Sequence, residues 1–327
     1  MAAKQRLVFF GSGAFGLPTL EALLQVHEVA LVVSQPDRKA GRGKTLTPTP
    51  IAEFALSKGI PVLRPEDANA PAVLGEIRAV AADAWVIIAF GQKLSAALLA
   101  DRFAINLHGS LLPAYRGAAP IQRAVMDGNA VTGVSVIGLA ERMDAGAVFA
   151  TRERPIGGRE TADDVHDALS LLGVDAVLEV LDGFARATPR SEFRGTLQDE
   201  SKATRARKLS KADATVDCTV LSAQSAAARI NGLNTWPGCE VGLQSPDESA
   251  PSEWIKLCRV EVAVVATGIC VSELTADGRI GCAGDSAVQC LEVQRAGSRR
   301  MSFEEFSRGR PIAQGTRVVP RLASEIS

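Results

Sequence analysis

The 327-residue sequence predicts an α/β protein: a mostly parallel sheet with helices on both faces, followed by a small, mainly β barrel. Three observations carry that expectation. From residue 5 to about 186, short apolar runs alternate with helix-like stretches, the pattern of strands joined by helical crossovers. From Ala187 to Lys211 the chain turns polar and basic, with Pro189 and Gly195 and no sustained apolar period, which reads as a linker. Beyond it come short β-rich runs separated by turn residues. The predicted divisions are 1–186, 187–211 and 212–327.

The first strand, Leu7 to Phe10, is an unbroken apolar run, as a strand buried on both faces requires. It enters Gly11-Ser12-Gly13-Ala14-Phe15-Gly16, which spells G-x-G-x-x-G, and then Leu17 to Leu24, a helix with Pro18 in its first turn, where a missing N–H does no harm. Such a turn suits a dinucleotide pyrophosphate. The ribose-binding acid is missing, however: the next strand, Val29 to Val33, ends without one, and Asp37 comes four residues late, behind Pro36. NAD is therefore not an expected cofactor. The remaining sheet strands are Trp85 to Ala89, Ala104 to His108 and Gly133 to Ile137. A long helix follows: Thr161 with Asp164 forms a capping-box-like start, and Val165, Ala168, Leu169, Leu172, Ala176, Val177, Val180 and Leu181 make one apolar stripe. His166 stands off that stripe and reads as a solvated residue. In the last part, Val220 to Ile230 reads as helix, and Trp254 to Val265, Ile269 to Leu274 and Val288 to Val293 as strands.

Apolar residues make up 46% of the chain and charged residues 22%, an ordinary globular balance. The longest apolar runs fall short of the roughly 18 residues of a membrane span, and Leu7 to Phe10 is too short for a signal-peptide core. The expected location is the cytoplasm, without membrane association, and the expected state a monomer. All six cysteines lie in the last third without C-x-x-C pairs or neighbouring histidines, so they read as buried thiols, and no metal is expected. The net charge of −1 conceals basic clusters: seven cations against three acids from Arg190 to Lys211, and seven arginines against Glu304 and Glu305 from Arg295 to Arg321. A third cluster, Arg38, Lys39, Arg42 and Lys44, lies in a glycine-containing loop. Three such faces on a near-neutral chain point to a phosphate backbone as partner.

The chemistry is concentrated in Ala104-Ile105-Asn106-Leu107-His108-Gly109-Ser110-Leu111-Leu112-Pro113. In a strand Asn106 and His108 share a face while Ile105 and Leu107 point into a core. The pair lies at the strand's carboxyl end, where open α/β sheets bind their ligands. His27 sits between a helix and a strand and His166 on a helix, which leaves His108 as the acid-base candidate. An asparagine N–H and a protonated imidazole together suit an oxygen that gains negative charge, as in transfer from a carbonyl through a tetrahedral intermediate. No serine nucleophile motif accompanies them, so direct transfer to an amine is expected rather than an acyl-enzyme. Spacing leaves Asp144, Glu141 and Asp127 open as the third group.

With Tyr115-Arg116-Gly117-Ala118-Ala119-Pro120-Ile121, this motif closely resembles the catalytic motif of the folate-dependent formyltransferases. Gln35-Pro36-Asp37, Ala40 to Lys44, Lys208-Leu209-Ser210-Lys211, Asn234-Thr235-Trp236-Pro237-Gly238 and Arg299-Arg300-Met301-Ser302 fit those members that act on an aminoacyl-tRNA. The resemblance implies a Rossmann-like catalytic domain and an OB-like C-terminal domain. It also implies transfer of the formyl group of 10-formyltetrahydrofolate to the amino group of methionyl-initiator tRNA, and it selects Asp144 as the partner of Asn106 and His108. Ser110, Leu111, Leu112 and Pro113, with the backbone around Ile88, Ala89, Phe90 and Gly91, would line the folate site. Arg38, Lys39, Arg42 and Lys44 would enter the tRNA acceptor end, with Phe15 a wall of the methionyl pocket and Arg205, Arg207 and Lys208 on phosphates. Gly11, Ser12 and Phe15 carry over from the family's first turn; Gly13 and Gly16 do not. Three positions depart from the family: Ala114 for a basic residue, Ala145 for a threonine after Asp144, and Cys218 for a tryptophan. The rival readings are a formyltransferase with an amino-sugar nucleotide as acceptor, which does not require the basic loop, and an NAD-dependent oxidoreductase, which would need the missing acid.

Overall fold

A computed structural model of the chain describes residues 4–40, 45–264 and 268–322. In chain order the elements are β1 (Arg6–Gly11), α1 (Leu17–Val26), β2 (Glu28–Val33), β3 (Arg38–Ala40), β4 (Thr45–Thr47), α2 (Pro50–Ser57), β5 (Val62–Leu63), α3 (Pro71–Ala79), β6 (Ala84–Ile88), α4 (Ala96–Leu99), β7 (Ala104–His108) and β8 (Arg116–Gly117). Then come α5 (Pro120–Met126), β9 (Val131–Gly138), β10 (Val148–Pro155), α6 (Ala162–Arg186), β11 (Arg205–Ala206), α7 (Ala223–Gly232), β12 (Cys239–Gln244), β13 (Glu253–Val262), β14 (Arg279–Cys282), β15 (Ser286–Arg295), β16 (Arg300–Ser302), α8 (Phe303–Gly309) and β17 (Arg317–Pro320). Two compact units result, and neither is one continuous segment. The first runs to Gly117 and adds 133–153 and 166–205; the second takes 118–132, 154–165 and the described chain from 206 onward.

The first unit is built on a seven-stranded sheet of order β10-β9-β7-β6-β1-β2-β5. β1 pairs in parallel with β2 and β6, β2 with β5, and β6 with β7, whereas β9 runs antiparallel to β7. The central run is buried on both faces: Leu7, Val8, Phe9 and Phe10 are all fully buried. Val8, Phe10, Leu31, Val33, Trp85 and Ile87 form one apolar layer with Ile77 of α3 and Leu98 of α4. On the opposite face Leu107 of β7 lies against Gly173 of α6, where a methyl group would come within 2.4 Å of it. Helices thus cover both sides, as a parallel sheet demands. The basic segment after α6 packs on this unit, its Phe193 ring stacked on Phe149 at 5.1 Å and Arg190 paired with Asp83.

In the second unit an antiparallel sheet of order β14-β15-β13-β12-β17, with β16 on β15, curls into a nearly closed barrel. Closure comes from the segment before β14. Glu273 bridges Arg317 of β17, and Leu274 bridges Ile280 of β14. The predicted strand Ile269–Leu274 is thus a set of isolated bridges, because its residues serve two neighbours at a corner rather than one along a ladder. Of the predicted strand Trp254–Val265 the structure forms Glu253–Val262, and Val265 lies outside the described residues. α7 fills the barrel: Ala223, Ala226, Ala227 and Ile230 join a core with Val241, Leu257, Val288 and Val293. α5 rests on α7, with Met126 against Gly232. Cys218 is buried in this core. One cysteine departs from expectation: Cys270 is exposed, in the turn that precedes the bridging segment.

Candidate active site

β7 positions the predicted pair. Its Ile105 and Leu107 face the buried side, so Asn106 and His108 share the other. His108 ends the strand and is itself buried. Its Nε2 lies 2.9 Å from the Tyr115 carbonyl oxygen. A carbonyl only accepts, so the ring carries hydrogen on Nε2. Nδ1 faces Asp144 Oδ2 at 3.8 Å, an ion-pair separation too long for a hydrogen bond. That carboxylate oxygen accepts from the Gly117 N–H at 2.9 Å. Of the three carboxylates that spacing left open, Asp144 is the one that pairs with His108 among the described residues; Glu141 is exposed, and Asp127 belongs to the second unit. The Asn106 carboxamide is half-buried and makes no hydrogen bond among the described residues.

Left-handed backbone occurs three times here at residues other than glycine: Ala89 (φ 48°), Tyr115 (φ 60°) and Asp144 (φ 55°). Such conformations persist where surrounding contacts over-determine them. For Asp144 the contacts come from the segment that follows α6. Gln198 Nε2 donates to the carbonyls of Asp144 (2.8 Å) and Gly146 (2.7 Å). Gln198 Oε1 accepts from Arg116 Nε and Nη2, at 3.0 and 2.7 Å. Arg116, 8% exposed, also pairs with Glu200, which Arg142 reaches too. The Arg116 and Arg142 guanidiniums hold the Glu200 carboxyl below its usual range. Sequence reasoning missed Gln198, since a lone glutamine in a polar stretch carries no period or motif.

The Ser110–Pro113 loop is tied from β9. Ser135, opposite His108 in the strand register, donates to the Ser110 carbonyl at 2.8 Å and accepts from Leu112 N–H at 3.0 Å. A fully buried hydroxyl inside an apolar strand was the signal that could have found it. Of the residues predicted to line the folate site, Ile88, Phe90, Ser110 and Leu112 are buried, whereas Ala89 and Gly91 are exposed and Leu111 and Pro113 half-buried. The glycine turn is occupied by the protein itself: Ser12 Oγ donates to the Phe90 carbonyl and accepts from Gln35 N–H, both at 3.0 Å.

Phe15 is buried, its ring 5.2 Å from that of His166. His166 is therefore half-buried against an aromatic ring rather than solvated, because the start of α6 turns that side toward Phe15. His27 is buried with Nδ1 accepting from Gln5 N–H, and burial, opposed by Asp182, lowers its pKa; it is a neutral structural residue. Arg38 and Lys39 lie on the exposed β3, where Arg38 pairs with Glu66; Arg42 and Lys44 lie outside the described residues. Arg205, Arg207 and Lys208 are exposed. The C-terminal arginine cluster is largely neutralised: Arg295 and Arg310 pair with Glu253, Arg300 with Glu292 and Arg321 with Glu240. Among the described residues no group of three or more His, Cys, Asp or Glu side chains could hold a metal ion, and no helix is long and apolar enough to cross a membrane.

Residues 5–181 match the formyl transferase family, and residues 208–311 match its C-terminal domain. A methionyl-tRNA formyltransferase of Rhodopseudomonas palustris is 39% identical over 318 residues, 96% of this chain and 98% of that protein. One from Cereibacter sphaeroides is 38% identical over 316 residues, 95% and 98% of the two chains. Among solved structures, HypX from Aquifex aeolicus in complex with tetrahydrofolic acid superposes with a TM-score of 0.63 at 16% identity. The overlap covers 93% of this chain but 47% of that one, and at this identity it speaks for the fold alone.

Proposed function

The chain belongs to the methionyl-tRNA formyltransferases, and from that premise we propose that it moves the formyl group of 10-formyltetrahydrofolate to the α-amino group of methionyl-initiator tRNA. The observation that carries the mechanism is His108, held at the end of β7 between the Tyr115 carbonyl and Asp144, with Asn106 two residues back on the same face. The amino nitrogen attacks the formyl carbon, and the carbonyl oxygen takes up negative charge. The Asn106 side-chain N–H donates to that oxygen, such a donor contributing about 10²–10³ in kcat, and His108, its two nitrogens facing Tyr115 and Asp144, stabilises it through the positive charge of its protonated form. On collapse the bond from carbon to N10 of the folate breaks, N10 gains a proton and the amine loses one. Asp144, which faces Nδ1, assists removal of that proton.

In this reading the folate lies against Leu111 and Pro113 and the backbone at Ala89 and Gly91, all of which are at least partly exposed. In this reading residues 1–186 are the catalytic domain, 187–211 a basic linker and 212–327 the tRNA-binding domain. Arg38, Lys39, Arg42 and Lys44 attend the acceptor end, Phe15 the methionyl group, and Arg205, Arg207 and Lys208 the phosphates. In the same reading the enzyme works in the cytoplasm as a monomer.

The test is a formylation assay on purified protein with 10-formyltetrahydrofolate and methionyl-tRNA. The His108→Ala variant should lose about 10²–10⁴ in turnover while tRNA binding changes little. Stoichiometric NADH binding without formyl transfer by the wild type would defeat the reading.

A further inference from the structure

We propose that Gln198 is a positioning residue for Asp144, and that the segment after α6 thereby completes the catalytic centre. This rests on the role given to Asp144 above. Glu141, Arg142 and Met143, on the loop that carries Asp144, are exposed, Met143 at 68%, and of the three Arg142 alone forms an ion pair among the described residues, with Glu200. Ala145 has no hydroxyl with which to tie the loop. Both carbonyls that flank Ala145 are instead taken by the Gln198 amide, at 2.8 and 2.7 Å. Gln198 cannot be turned over: its oxygen faces the Arg116 guanidinium, which only donates, so its NH₂ must face the two carbonyls.

Arg116 closes the circuit. Its preceding residue, Tyr115, presents the carbonyl that fixes the His108 tautomer, and its following residue, Gly117, donates to the Asp144 carboxylate. One buried guanidinium thus anchors, through its own backbone neighbours and through Gln198, both the base of the aspartate side chain and the ring it faces. The left-handed conformation of Asp144 aims its carboxylate at Nδ1, and the two Gln198 bonds fix the carbonyls on either side of that turn. A shift of about 1 Å in a reacting group costs about 10²-fold in rate, so the brace acts on kcat and leaves substrate binding alone.

The test uses the full-length protein in steady-state formylation of methionyl-tRNA. Gln198→Ala removes both halves of the brace. Gln198→Glu keeps the shape and the Arg116 pair but cannot donate to the carbonyls while ionised, and it retains the fold even where the alanine variant does not. Each should lower kcat by about 10–100-fold, with KM for tRNA moving by less than about twofold. In an Asp144→Asn background Gln198→Glu should add less than about twofold, since the group it positions is already disabled. A wild-type kcat in Gln198→Glu, or an equal loss in both backgrounds, overturns the brace while leaving Asp144 in its role. Undiminished turnover in Asp144→Asn overturns that role and the brace with it.

Discussion

At Gly11 a methyl group would sit 2.5 Å from Phe9 Cε1 and 3.0 Å from the Ile88 carbonyl oxygen, with both neighbours locked in the central strands. Gly11→Ala should therefore cost about 1–3 kcal/mol by overpacking. Urea denaturation should read this as a lower midpoint at unchanged slope; an unaltered midpoint would show that the turn has room. The glycine that resembled a cofactor fingerprint is required by strand packing. A one-dimensional pattern cannot separate a glycine cleared for a ligand from one cleared for a neighbouring strand, since both demand the same missing Cβ. The candidates Asn106 and His108 stood out in the sequence for the opposite reason: polar residues two apart at the end of an apolar strand have few structural uses. Asp144 was not legible from spacing, because its contact with His108 crosses 36 residues and two loops, and only the resemblance singled it out.

The start of α6 shows what an element needs beyond its own sequence. Asp164 accepts from the Thr161 N–H at 2.7 Å, the reciprocal cap foreseen from the residue types. Arg259 of β13 adds two further hydrogen bonds to the same carboxylate, from 95 positions away. Burial alone would raise the Asp164 pKa, but the Arg259 and Thr161 hydrogen bonds outweigh it and bring it down to about 2. A depressed folded-state pKa adds stability above the ordinary value of 3.8, and that stability is lost as pH falls toward 2. With the side chain about a third exposed, solvent screening limits the contribution to about 1 kcal/mol. Asp164→Asn should be less stable than wild type by that amount at pH 7, and the gap should close between pH 4 and 2. A gap that persists at pH 2 would mean that the carboxylate charge is not what stabilises the helix start. The cap could be read locally; its arginine could not, since nothing in a strand's alternation marks which exposed cation will meet a distant helix.

At the scale of the whole molecule the thiols report on packing. Five of the six cysteines are buried, and burial pushes Cys239 and Cys290 up to about 12. A chromogenic thiol reagent at pH 8 should therefore modify Cys270 rapidly and the other five only after denaturation. Rapid reaction of two or more thiols in the native protein would contradict the closed barrel. The alternation of strands and helices and the two folds were open to sequence reasoning because each rests on periodicity within short windows. The membership of the two units was not, because 118–132 and 154–165 look like ordinary pieces of an alternating α/β chain and are claimed by partners much later in the sequence.

That late claim sets a schedule for biosynthesis. α5 (Pro120–Met126) finds its seat on α7 and the barrel, and the barrel closes only with β17 (Arg317–Pro320), about 190 residues after Met126 leaves the ribosome. At roughly 5–20 residues per second the delay is about 10–40 s. Throughout it, Ala119 and Met126 ride on the nascent chain without the core they will join. A holding chaperone would find its longest opportunity there, on a segment that waits for strands made much later in the chain.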